Sequence, residues 1–240
     1  MPTNFAQKLY LLCYTVKKEK FQLDNIQGRG QLLRAGAMTE LARNGLLDAT
    51  GGKVRRLSGN PPEDPFAASV WYDLPEDKPK GWLKFLHNKA HTAETPVRDQ
   101  LLASGDVAIE RQKKVAVVST NRVTVVHPDL VHALQDRVRA IVLDGAPADD
   151  LTDELAMAVL AVELELTSVW SKEDRRTHKS ALKAQAARFD AFVPGLRKAL
   201  RDSYLASRAV GGGWSACTAT TATRNPRETL QPQPVTRSDR

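Results

Sequence analysis

The sequence has little of what defines the specialised classes of protein. Its two cysteines, Cys13 and Cys217, lie far apart in a chain of 240 residues, which argues against a disulfide framework or a cysteine-rich metal site. It has no apolar run of about 18 residues or more, so no transmembrane helix is expected. The short apolar run at residues 9–16 leads straight into two lysines without a small-residue cleavage site, and it is therefore not a secretory signal.

Catalytic patterns are missing as well. The sequence has no Gly-x-Ser-x-Gly, Walker or kinase motif, and the Gly-Arg-Gly at residues 28–30 lacks the third glycine and preceding strand of a dinucleotide fingerprint. His87 and His91 have the spacing of zinc ligands on a helix, but Asn88 stands where a metalloprotease has its general base. We therefore expect no enzymatic activity, no metal site and no cofactor.

What the chain does have is an ordinary globular composition with a basic surplus. Hydrophobic residues make up 42%, and 35 Lys and Arg outnumber 28 Asp and Glu, which gives a net charge of +7. A surplus of this size suits an anionic membrane, a nucleic acid or an acidic partner, and it also serves plain solubility.

Helical periodicity dominates the pattern. We expect a mainly α protein in which residues 1–210 form a single domain around a central helical bundle with short β-hairpins, followed by a disordered tail at 211–240. Glu163 lies in the most apolar segment and is expected to pair with a basic residue of another helix. The predicted helices are 30–43, one opening at Asp64, one through Trp82, 96–104 with Thr95 as its cap, 130–142, 151–169, one opening at Ser171 and one ending near Arg208.

Two β-hairpins interrupt the helices. The first spans residues 46–57 around Gly51 and Gly52. The second is the clearest β signal in the chain, with predicted arms at 113–118 and 123–126 and a turn at Thr120 and Asn121. Its arms are too apolar to be left in water, so we expect them to pack on the body, a membrane or a second subunit. The residues assigned to this membrane or oligomer hairpin are Lys113, Lys114, Val115, Val117, Val118, Arg122, Val123 and Val125.

The order helix, glycine, basic hairpin is also that of a winged-helix domain. In this alternative, the helix at 96–104 and the basic wing at 111–122 bind nucleic acid. The helix carries Asp99 and a single cation, Arg98, whereas recognition helices offer more phosphate-binding groups. Nucleic acid is therefore the less favoured partner.

Residues 33–45, Leu-Arg-Ala-Gly-Ala-Met-Thr-Glu-Leu-Ala-Arg-Asn-Gly, resemble the first signature of the Golgi phosphoprotein 3 family. The resemblance continues in order through the Trp-bearing segment 81–86, through 101–105 with the hairpin that follows it, and through the apolar segment 155–169. It covers roughly residues 5–208. Members of this family are phosphoinositide-binding peripheral membrane adaptors with many bacterial relatives.

The resemblance implies a helical domain that binds phosphatidylinositol 4-phosphate in a basic pocket and inserts a hydrophobic hairpin into the bilayer. By position, it assigns the headgroup arginine to Arg34 and places Asn25 where the family has a tryptophan. Two further headgroup arginines fall on His91 and Glu94, and Arg98, one turn after Glu94, is the candidate substitute. The lipid-headgroup residues are thus Arg34, Asn25, His91 and Arg98.

Arg34 also has an interpretation of its own. If the helix begins near Gly30, Arg34 lies in its first turn, where unpaired N–H groups and a guanidinium together favour an anion. The structural alternative is a salt bridge to Glu40 or Asp24. The resulting expectation is a non-enzymatic cytoplasmic protein, peripheral to the membrane, that binds phosphatidylinositol 4-phosphate or another anionic phospholipid. The partners considered besides the membrane surface are a second copy of the chain, bound through the hairpin, and an unidentified protein cargo.

Overall fold

Ten α-helices and seven short strands make up the part of the chain that the computed structural model describes, residues 4–22, 26–113, 119–144 and 151–214. The helices are α1 Phe5–Leu12, α2 Ile26–Arg43, α3 Pro65–Asp73, α4 Trp82–His87, α5 Ala90–Ala103, α6 Pro128–Leu143, α7 Asp153–Glu163, α8 Lys172–Thr177, α9 Lys179–Phe192 and α10 Leu196–Trp214. The strands are β1 Tyr14–Thr15, β2 Lys20–Phe21, β3 Leu47–Thr50, β4 Lys53–Arg56, β5 Lys80–Gly81, β6 Val107–Lys113 and β7 Ser119–Val125. The mainly α class with short hairpins is confirmed.

Helix α2 lies at the centre and contacts α1, α3, α4, α5, α7 and α10. Its small residues allow close packing, because side chains on neighbouring helices can then approach its backbone. A Cβ atom added at Gly30 would lie 1.7 Å from the carbonyl oxygen of Ala90, so α2 and α5 touch backbone to backbone at this point. One added at Gly36 would lie 2.3 Å from a methyl carbon of Leu9 in α1.

Helix α7 is apolar on every face, and residues 155–161 are all buried, as expected of a central helix. It ends at Glu163 rather than near Val169. Glu165 adopts a left-handed backbone with φ of 55°, and the Leu166 N–H donates to the Ala161 carbonyl at 2.9 Å, which closes the helix in a Schellman-like turn. The apolar pattern continues beyond this end because the following loop is itself buried.

Helix α5 begins earlier than its sequence signals indicate. Thr95 and Pro96 were expected to open the helix, but it starts at Ala90 and contains Pro96 in its interior. An interior proline costs a helix about 3 kcal/mol in isolation. Here Ala90 and Ala93 are buried against neighbouring elements, and this tertiary packing holds the first turns in place.

The first hairpin is confirmed. β3 and β4 pair in antiparallel register from Leu47 with Arg56 to Thr50 with Lys53, and β5 adds a third strand. Gly51 and Gly52 have φ of 59° and 74°, the left-handed conformation at both positions that a two-residue hairpin turn requires.

The C-terminal helices follow the predicted signals with two differences. Ser171 and Asp174 form the capping box of α8, but this helix ends at Thr177, and α9 begins anew at Lys179. Helix α10 continues past Arg208 to Trp214, so the first residues assigned to the tail are helical. Residues 215–240 lie outside the described part of the chain.

Candidate functional site

Arg34 lies in the interior of α2, two turns after Ile26, and not in the first turn of the helix. Its side chain is only 2% exposed. The Arg34 Nε–H donates to the Phe85 carbonyl oxygen at 2.5 Å, and Nη2 donates to Asp73 Oδ2 at 3.1 Å. The expected unpaired N–H groups are therefore absent from its surroundings, and the salt bridge is to Asp73 rather than to Glu40 or Asp24.

The electrostatics of Arg34 are those of a buried ion pair. Burial lowers the pKa of its guanidinium, and the neighbouring Asp73 carboxylate partly opposes this shift. Asp73 also accepts from Lys89 Nζ at 2.6 Å, so one carboxylate joins α2 to the start of α5. A lipid phosphate at Arg34 would have to displace both the Phe85 and the Asp73 bonds.

The segment after α4 explains the positions of the two histidines. His87 ends α4, whereas His91 lies on α5, and Lys89 between them has a left-handed backbone with φ of 55°. The helical four-residue spacing that zinc ligands would need is thus broken. Among the described residues, no three His, Cys, Asp or Glu side chains lie close enough together to hold a metal ion.

His91 and Arg98 are both on α5, where His91 is exposed and Arg98 is partly exposed. Arg98 donates to its neighbour Asp99 at 3.1 Å. Asn25 lies outside the described residues. The structure therefore leaves His91 and Arg98 accessible, but it does not join them to Arg34, which is buried beneath its own partners.

Glu94 is neutralised by Arg29, a residue far from it in the sequence. Arg29 Nε donates to Glu94 Oε2 at 3.0 Å and its Nη2 donates to Oε1 at 3.2 Å, while Nη1 donates to the Gln22 carbonyl oxygen. Burial lowers the pKa of the Arg29 guanidinium, but the charge and the hydrogen bonds of Glu94 raise it by more, so the pKa of Arg29 lies above its ordinary value. The two residues are 65 positions apart, and their sequence spacing carries no signal of this pair.

The second hairpin has a different register from the one predicted. β6 and β7 pair from Val107 with Val125 to Lys113 with Ser119. Thr120 and Asn121, the predicted turn, lie within β7, and the predicted first arm is the connection between the strands. That connection is 114–118, Lys-Val-Ala-Val-Val, which holds the assigned residues Lys114, Val115, Val117 and Val118 and lies outside the described residues.

The base of the hairpin packs on the body of the protein. Val107 is buried, and Val123 and Val125 are half-buried against the core. Exposure rises along β6, where Ile109 is already 46% exposed. Arg122 donates to the Glu19 carbonyl oxygen in the loop between β1 and β2. Of Lys113 only the backbone is described, in the last strand pair.

A small cavity of about 60 Å³ lies between α1, the base of the hairpin and α6. Its walls are mainly apolar and include Leu11, Val125 and Leu134. Ligand pockets for drug-sized molecules run from about 300 Å³ upward, so this cavity has room for a side-chain end and not for a lipid chain. No helix among the described residues has the length and apolar content needed to cross a bilayer.

The model of the family described as Golgi phosphoprotein 3 (GPP34) matches residues 5–203. The chain belongs to the Golgi phosphoprotein 3 family. The match runs from α1 into α10 and includes the α2 signature and the β6–β7 hairpin. No curated protein matches the chain at a significant level.

Family membership confirms the resemblance drawn from residues 33–45 and the mainly helical fold. The structure also shows that a residue's role cannot be transferred from its family position alone. In this member of the Golgi phosphoprotein 3 family, Arg34 of the signature helix is bonded to Phe85 and Asp73. Glu94, which the resemblance places where the family has a headgroup arginine, is paired with Arg29. Residue type at a family position does not determine whether that residue reaches solvent.

Proposed function

We propose that this protein is a peripheral membrane adaptor that binds anionic phospholipid, phosphatidylinositol 4-phosphate among the candidates, and acts by binding rather than catalysis. The observation that carries the proposal is the register of the β6–β7 hairpin. It makes the connection between two seven-residue strands the segment 114–118, Lys-Val-Ala-Val-Val, instead of the polar turn at Thr120 and Asn121.

The hairpin has the composition of a membrane-contacting element. Three valines fall within five residues at its connection, and Arg111, Lys113, Lys114 and Arg122 flank them. Fully burying a valine side chain is worth about 1.5 kcal/mol or more, and each cation near an anionic leaflet adds about 1 kcal/mol. Apolar contact and charge together give reversible attachment, which neither would supply alone.

The base of the hairpin supports the same interpretation. Val107, Val123 and Val125 pack against the core, and along β6 the exposure rises from Val107, which is buried, to Ile109, which is 46% exposed. Seven residues of strand extend about 23 Å. The last strand pair, Lys113 with Ser119, therefore lies about 20 Å along the hairpin from the base at Val107 and Val125.

Headgroup recognition is proposed for His91 and Arg98, which are accessible on α5. Arg34 is proposed to be structural because its guanidinium is buried and already bonded to Phe85 and Asp73. The nucleic-acid alternative gains no support within the described residues. The buried face of α5 packs on α2, and the helix carries a single arginine, Arg98, where a recognition helix needs several cations for phosphate.

The test is vesicle co-sedimentation of the full chain. Vesicles of neutral phosphatidylcholine are compared with vesicles containing phosphatidylserine or phosphatidylinositol 4-phosphate at matched total charge. Wild type should sediment with the anionic vesicles, and Val117→Asp with Val118→Asp should reduce the bound fraction at least about tenfold, because two valine side chains proposed to enter the membrane become charged. Preference for the phosphoinositide at matched charge would identify the lipid.

The matched control is Leu83→Asp with Leu205→Asp, which makes the same chemical change at two exposed positions on α4 and α10. It should leave vesicle binding within about twofold of wild type. Full binding by the valine variant, or equal loss in the control, would overturn the assignment of the hairpin. A gel shift with duplex DNA should be negative at the same protein concentration.

A further inference from the structure

A second basic surface lies on the C-terminal helices, away from the hairpin in sequence. It is a groove of about 540 Å³ between the end of α7, helices α8 and α9, and the start of α10, and we call it the basic groove. Its lining holds four cations and two carboxylates, a net charge of +2. The residues that carry the argument are the cations Arg175, Lys179 and Lys183 and the apolar residues Val162, Leu182 and Ala186.

Both carboxylates of the basic groove are already satisfied by one arginine. Arg197 Nη1 donates to Glu163 Oε1 at 2.8 Å, and its Nη2 donates to Asp190 Oδ2 at 2.6 Å. The hydrogen bonds that Arg197 donates to Asp190, together with its bond to Glu163, raise the pKa of Arg197 above its ordinary value. This also confirms the expected pairing of Glu163 with a basic residue of another helix.

The other three cations have no such partner. Neither Arg175, Lys179 nor Lys183 forms an ion pair with a carboxylate of the described ranges, and the two lysines are exposed. Lys179 and Lys183 are four residues apart on α9 and therefore share one face. Because Arg197 holds the two carboxylates of the lining, these three cations carry the positive charge that the groove presents.

Apolar residues lie beside these cations in the lining. Val162 and Ala186 are half-buried against the core, and Leu182 is buried. Lys179, Leu182, Lys183 and Ala186 follow one another at helical spacing and therefore share one face of α9. A ligand that fills the groove would meet positive charge and methyl groups next to each other, and a peptide with interspersed acidic and aliphatic side chains supplies partners for both.

Other anionic surfaces fit the groove less well. A bilayer is flat on this scale and would reach the exposed lysines while leaving the recessed apolar side uncovered. A nucleic acid would likewise use the cations without the methyl groups. The chain's own C-terminal segment, 215–240, has four arginines and two acidic residues and is therefore of the wrong charge, as is a second copy with a net charge of +7.

We propose that the basic groove binds an acidic segment with interspersed aliphatic residues from a partner protein. This assignment is independent of lipid binding by the hairpin. A protein attached to a membrane through β6 and β7 would keep a separate site for a protein ligand on α9.

The test uses fluorescence anisotropy with a fluorescein-labelled peptide, Glu-Glu-Leu-Glu-Glu-Leu-Glu-Glu, titrated with the full chain at about 150 mM salt, where screening suppresses distant charges. Two further peptides replace the leucines by serine or the glutamates by lysine. Wild type should bind the first peptide saturably. It should bind the serine peptide at least about fivefold more weakly and should not bind the lysine peptide.

The protein variants separate the groove from net charge. Lys179→Glu with Lys183→Glu should weaken peptide binding at least about tenfold. The control Lys78→Glu with Lys80→Glu makes the same charge change at two exposed positions before α4, the second of them in β5, and should change it less than twofold. Thermal melts establish that both variants fold. Ala186→Glu, among the apolar residues of the lining, supplies an independent disruption that should also weaken binding.

Four outcomes would overturn the proposal. The first is that wild type does not bind the acidic peptide saturably, and the second is that it binds the serine peptide equally well. The third is that the control Lys78→Glu with Lys80→Glu weakens peptide binding as much as Lys179→Glu with Lys183→Glu does. The fourth is that the protein binds no peptide and the Lys179→Glu with Lys183→Glu variant loses binding to anionic vesicles. The last would make the groove a membrane contact. Because vesicle binding through the hairpin is measured separately, failure of one site does not decide the other.

Discussion

Replacing Arg34 by methionine should destabilise the protein strongly and leave membrane binding of the folded form intact. Removing one member of a buried ion pair costs about 3–5 kcal/mol, because the remaining charge is left without its partner. Asp73 keeps its bond to Lys89, so the cost of Arg34→Met should be near 3 kcal/mol. For a chain of this size, 1 kcal/mol corresponds to about 2–4 °C in melting temperature, which predicts a fall of about 6–12 °C.

The measurement is chemical and thermal denaturation followed by circular dichroism, together with vesicle co-sedimentation well below the melting temperature. Arg34→Lys should also lose stability, because one ammonium group cannot reproduce the two bonds that the guanidinium makes to Phe85 and Asp73. Arg55→Met is the control, since its pair with Asp48 is exposed and should be worth less than about 1 kcal/mol. A folded Arg34→Met protein with an unchanged melting temperature and lost vesicle binding would refute the structural role and restore Arg34 as a headgroup residue.

Three other predictions concern packing, pH and reactivity. Gly30→Ala should destabilise the protein by several kcal/mol in urea titrations, because the new Cβ overlaps the Ala90 carbonyl, whereas Gly81→Ala, with open space, should be tolerated. Hydrogen bonds from Arg139 and from Ser171 of the capping box lower the pKa of Asp174 from 3.8 to about 2. The stabilisation that the ionised Asp174 provides is therefore present above about pH 4 and is lost as the pH falls toward 2. The difference in stability between wild type and Asp174→Asn should shrink over that pH window. Burial raises the pKa of Cys13 to about 12, so mass spectrometry should find that thiol unmodified by iodoacetamide at pH 8 until the protein unfolds.

Much of the helical framework follows from local signals. Asp64 accepts a hydrogen bond from the Ala67 N–H, and Ser171 and Asp174 bond reciprocally, as their positions in the sequence indicate. Gly45 and Gly105 have the positive φ expected of residues that end α2 and α5. These boundaries depend on residues within a few positions of one another, and a sequence displays such relations directly.

The errors arise where distant parts of the chain decide the outcome. Pro96 lies inside α5 because the alanines before it pack against other elements, and the apolar run after Glu163 is a buried loop instead of a longer helix. The hairpin register is of the same kind. Valines 115, 117 and 118 have high strand propensity, but the strand that starts at Val107 and packs on the core fixes the pairing, and the valines fall at the connection.

The site residues were harder to predict than the fold for a physical reason. A buried cation binds an external anion only if no internal carboxylate has taken it, and that depends on contacts between residues far apart in sequence. Arg34 meets Asp73 at a separation of 39 residues and Arg29 meets Glu94 at a separation of 65, so neither is free for a ligand. Lys179 and Lys183 form no ion pair with a carboxylate of the described ranges, and they share a face of α9 with Leu182 and Ala186.

Which basic residues are paired with carboxylates determines where the net charge of +7 can attract a ligand, and composition alone does not show this. Arginines near the core, such as Arg34, Arg29 and Arg197, are held by carboxylates and contribute to cohesion rather than to recognition. The surplus must then act where cations lack internal partners, and the basic groove on α9 is one such place. An excess spread evenly would give weak, general attraction to any anion, but a cluster beside half-buried methyl groups discriminates by shape and polarity as well as by charge. For this reason the serine peptide is the decisive comparison, because it keeps all the charge and removes only the contact with the apolar residues of the groove.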